Sequence, residues 1–70
     1  MENSMKTFGV VRLADKWTIT VQGKRWGQFL YRVDAEEAAL RLAAQVSAEG
    51  GAAEVLVQEG AGEITRLNVG

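Results

Sequence analysis

The sequence predicts a small α+β domain in the order β-β-β-α-β-β, with one helix packed on one face of a mostly antiparallel sheet. Three observations carry this. Trp17-Thr18-Ile19-Thr20-Val21 alternates apolar and polar residues with the period of two of a half-buried strand. From Asp34 the period changes, and Ala35, Ala38, Ala39, Leu42, Ala43 and Val46 recur at helical spacing. Two further β-rich segments, residues 53–58 and 63–69, follow a Gly50-Gly51 stop.

Taken in order, residues 1–7 read as a flexible N-terminal leader, and residues 8–70 as a single domain. Residues 8–13, apolar and partly β-branched, form the first predicted strand. Ala14-Asp15-Lys16 is a turn into the second, with Trp17, Ile19 and Val21 on its core face. Residues 22–27, bracketed by Gly23 and Gly27, read as a loop. Residues 28–33 read as a third strand with Phe29, Tyr31 and Val33 sharing a face. Asp34 and Glu37 fit an acidic capping box that opens a helix from Ala35 to about Glu49. That helix holds six alanines, and small side chains let its axis sit close to a sheet. Gly60-Ala61-Gly62 lies within the connection between the last two strands. One helix leaves the other face of a five-stranded sheet open.

From Trp17 onward the pattern resembles the bacterial domain-of-unknown-function family 2188. The residues concerned are the early hairpin with Trp17, the helix opening Glu36-Glu37-Ala38, the run Gly51-Ala52-Ala53-Glu54-Val55-Leu56-Val57-Gln58, and Gly62-Glu63-Ile64. The family tends to place threonine at the helix cap, where this chain has Asp34, and an Asp-Gly turn where it has Gly60-Ala61-Gly62. The resemblance implies a compact α+β fold and carries no catalytic residue across.

Composition narrows the chemistry. The 70 residues include no histidine, cysteine or proline. Thiolate and imidazole metal sites, thiol nucleophiles, imidazole bases and disulfides are therefore excluded. Ser4 and Ser47 have no histidine to activate them, and no glycine-rich phosphate loop opens the helix. Asp34, Glu36 and Glu37 are explained by capping and the helix dipole. The expectation is a non-enzyme without cofactor or metal. No apolar run reaches the length of a membrane span and no secretion signal is visible, so a cytoplasmic location and no membrane partner are expected. Without proline, the sheet has lost one common means of blunting its edges.

Charge is divided unevenly. Residues 1–33 carry six cations against two carboxylates, net +4, and residues 34–70 carry two against seven, net −5. Two functions follow from different features. The half-covered sheet of a small, unstapled domain suggests a protein-interaction module, binding a protein partner or a second copy through the open face or an edge. The basic half suggests instead a nucleic-acid surface centred on Lys24, Arg25 and Trp26 and extended by Arg12, Lys16 and Arg32. A simpler account of the split is that the basic hairpins and the acidic helix flank neutralise each other, and an isoelectric point near 5.3 agrees with that.

Overall fold

The computed structural model describes residues 5–60 and 62–67. Its elements follow the predicted order: β1 (Met5–Leu13), β2 (Lys16–Val21), β3 (Lys24–Phe29), α1 (Arg32–Ala48), β4 (Ala52–Gln58) and β5 (Ile64–Leu67). The strands form one sheet in the order β3-β2-β1-β4-β5. Neighbours pair antiparallel except β1 and β4, which run parallel. A parallel pair needs a crossover, and β3-α1-β4 supplies it, carrying the chain back over the sheet.

The core lies between helix and sheet. Ala35, Ala39 and Ala43, four residues apart on α1, are fully buried. They close on Phe8 and Val10 of β1, Ile19 of β2, and Val55 and Val57 of β4. Trp17, Val21, Phe29, Leu40, Leu42, Val46 and Leu67 pack around this centre. The period of two places Phe8, Val10, Ile19, Val55 and Val57 on one side of the sheet, so the helix covers that side alone.

Several boundaries differ from the sequence expectation. Met5, Lys6 and Thr7 are not a leader: they pair with Ala52, Ala53 and Glu54 and extend β1. The remaining leader residues, 1–4, and the expected strand end at 68–70 lie outside the described residues. Residues 24–27 are strand rather than loop. Gln22 (φ 53°) and Gly23 (φ 78°) make a two-residue turn with both central residues in the left-handed region, which suits the twist of a tight hairpin. β3 therefore starts at Lys24, opposite Val21. It ends at Phe29, leaving Tyr31 and Val33 exposed instead of sharing a strand face.

The helix also begins earlier than Asp34. Tyr31 is its extended N-cap residue and makes no side-chain cap. Asp34 sits in the first turn, where a carboxylate complements the dipole without capping. Arg32 at the first helical position pairs with Glu36 one turn on (3.2 Å) and with Glu59 after β4 (2.6 Å), which ties the helix start to the end of that strand. The other end follows expectation. The Gly51 N–H donates to Val46 O (2.9 Å) and the Gly50 N–H to Ser47 O (3.0 Å), with Gly50 at φ 90°. This is the double closure of a Schellman motif.

Candidate interaction surface

The residues alternate with the core set to build the uncovered side of the sheet. β1 contributes Thr7, Gly9, Val11 and Leu13, and β2 Lys16, Thr18 and Thr20. β3 gives Arg25, β4 Glu54, Leu56 and Gln58, and β5 Ile64 and Arg66. Register aligns them in rows. Arg25 faces Thr20, Thr20 faces Gly9, Gly9 faces Leu56 and Leu56 faces Arg66, so one row spans all five strands with an arginine at each end.

Gly9 makes the middle of this row low. Its missing side chain is required by its neighbour, because a Cβ there would stand 2.6 Å from Thr20 Oγ1. The result is a shallow cleft of about 400 Å³ lined by Thr7, Gly9, Val11, Thr20, Leu56 and Ile64 among others. Beside it Leu13 is two-fifths exposed and Ile64 nearly three-fifths. No element among the described residues covers these side chains.

The charges of this face are unequal. Among the described residues, Lys16, Arg25 and Arg66 stand against Glu54 alone. Glu54 accepts a hydrogen bond from the Thr7 hydroxyl (2.7 Å) and lies 3.6 Å from Arg66 Nε. Lys16 and Arg25 have no carboxylate within ion-pair distance among the described residues. Both line a second depression of about 430 Å³ with Leu13, Trp17, Thr18, Gly27 and Gln28. A β-bulge floors it: Trp17 faces Phe29 and Ile19 faces Trp26, so Gly27 and Gln28 together oppose Thr18. Gly27 takes φ 76°, and its carbonyl accepts the buried Thr18 hydroxyl at 2.7 Å.

The basic–aromatic group expected from the sequence is divided by this geometry. Lys24 and Trp26 stand opposite Val21 and Ile19, on the helix side, while Arg25 stands opposite Thr20, on the open side. Trp26 is half exposed. Arg32 is on the helix and held by two glutamates. The four do not form a single surface: Lys24 and Trp26 share the helix side, while Arg25 lines the open-face depression with Lys16. Arg66, on the open face, belongs with Arg25 instead. Sequence reasoning passed over it because the link between them runs through four register pairs.

The register sets the aromatic residues off the open face, but Trp17 also lines the depression that holds Lys16 and Arg25. Phe8, Trp17, Trp26 and Phe29 point to the helix side and Tyr31 precedes the helix. The β3 edge is guarded without proline, since β3 carries Lys24 and Arg25 and is interrupted by its bulge. No helix among the described residues is long and apolar enough to cross a membrane. Comparison with protein-family models, curated proteins and solved structures gives no match.

Proposed function

We propose that this domain is a non-catalytic protein-interaction module that binds a partner through the open face of its sheet. The observation that carries the reading is the uncovered set Val11, Leu56 and Ile64 around the Gly9 cleft, with Leu13 at the neighbouring depression, on a face that the chain's own helix leaves free. A sheet normally buries its apolar surface against another layer. Strand addition at the β3 edge is less favoured, since that edge carries features that discourage pairing.

Two alternatives draw less support. Nucleic-acid binding through Lys24, Arg25, Trp26 and Arg32 would need those side chains on one surface. A second copy on the open face, turned about a two-fold axis along β1, would set Arg25 over Arg66.

A selection from a displayed random-peptide library on the purified domain tests the reading, with Leu56→Lys as counter-target. The expected result is enriched peptides that lose binding to Leu56→Lys and keep it to Gln45→Ala on the exposed side of the helix. Enrichment indifferent to Leu56→Lys, or none, would contradict it. Val11→Lys serves in the same way if Leu56→Lys does not fold.

A further inference from the structure

Resting on the protein-interaction reading, we infer that the occupant of the open face is an amphipathic helix of a partner protein whose apolar stripe is flanked on both sides by carboxylates. The dimensions come from the register. Arg25 and Arg66 end one five-strand row, and four interstrand steps of about 4.8 Å separate their backbones by about 19 Å. A helix with its side chains is about 10–12 Å across, so one lying along the central strand fits between the two arginines. Its lower side would meet Val11, Leu13, Leu56 and Ile64. The Gly9 cleft would receive one large apolar side chain.

Charge selects the flanks. Three cations and one carboxylate stand on this face, and Lys16 and Arg25 lack acidic partners among the described residues. Acidic residues on one flank of the incoming helix would reach Arg25 and Lys16. Those on the other would reach Arg66, which shares its present carboxylate, Glu54, with Thr7. The chain's own helix already shows that a helix packs on this sheet, and a second would complete a helix–sheet–helix sandwich. An extended single strand of nucleic acid would share the charge but not the apolar floor.

The test uses the full chain and four labelled probes read by fluorescence anisotropy. These are a helix-forming peptide with a leucine stripe flanked by glutamates, the same peptide with lysine flanks, the same with the stripe replaced by serine, and an oligo-uridine. The acidic peptide should bind at least about tenfold tighter than the lysine-flanked one, an effect that two or three partly screened ion pairs supply. Serine in the stripe should abolish binding. Arg25→Glu/Arg66→Glu should reverse the preference toward the lysine-flanked peptide. Arg25→Glu alone should narrow it if the double variant does not fold. Equal binding of acidic and lysine-flanked peptides, no binding of either, or tighter binding of oligo-uridine than of peptide would overturn the proposal. If the library selection still yields Leu56-dependent peptides of another chemistry, the interaction reading stands and only the acidic helix falls.

Discussion

Ala39 is the position where the close seat of the helix on the sheet is most directly exposed to test. It is fully buried, midway between Ala35 and Ala43, over a layer containing Val10, Ile19 and Val55. Ala39→Leu adds three carbons. If the interface had room, burying them would stabilise the fold by up to about 2 kcal/mol, at about 0.8 kcal/mol per methylene. The clefts described above lie on the open face, which the added side chain does not reach. The helix must therefore lift, or neighbouring side chains must leave their rotamers, at a cost of about 1–3 kcal/mol. A domain of this size has about 4–10 kcal/mol of total stability, so the loss is a large fraction of it. In thermal unfolding followed by circular dichroism, a loss of about 2 kcal/mol lowers the midpoint by roughly 8–16 °C. Ala44→Leu, at an exposed position of the same helix, controls for helix propensity and should stay within about 0.5 kcal/mol of wild type. An Ala39→Leu protein as stable as wild type, or more stable, would refute the packing argument.

Other substitutions probe the backbone and the bulge. Gly50→Ala, at φ 90° with no atom near the added Cβ, should lose about 1–2 kcal/mol from left-handed strain alone, read by urea denaturation. Ala14→Gly should gain about 0.5 kcal/mol in the same assay, because Ala14 is held at φ 57° and glycine removes that strain against its own entropic cost. Thr18→Val removes the donor to the Gly27 carbonyl and should cost about 1–3 kcal/mol, with faster amide exchange along β3 than in wild type.

Much of the fold was legible because its signals are local and periodic. The alternation at 17–21 and the small-residue stripe at Ala35, Ala39 and Ala43 each reflect burial on one side, and the Gly50-Gly51 stop reflects a backbone requirement that glycine alone meets cheaply. The errors arose where one residue type serves two purposes. Gly27 reads as a loop residue but forms a bulge inside a strand, and this displaced β3 and placed Lys24, Arg25 and Trp26 in a loop. Asp34 reads as a cap, but the helix already begins at Arg32, whose ion pair with Glu59 joins residues 27 positions apart. The candidate face was legible only as an absence of a second helix. Its row from Arg25 to Arg66 depends on the parallel pairing of β1 with β4, which no local pattern announces.

In the proposed function a partner binds the uncovered side of the sheet. An amide ¹H–¹⁵N titration of the domain with the most enriched selected peptide measures this directly. Shifts concentrated on Gly9, Val11, Leu13, Thr20, Leu56 and Ile64 are the predicted result. Shifts concentrated instead on the β3 edge from Lys24 to Phe29, or on Glu37, Arg41 and Gln45 of the helix, would contradict it.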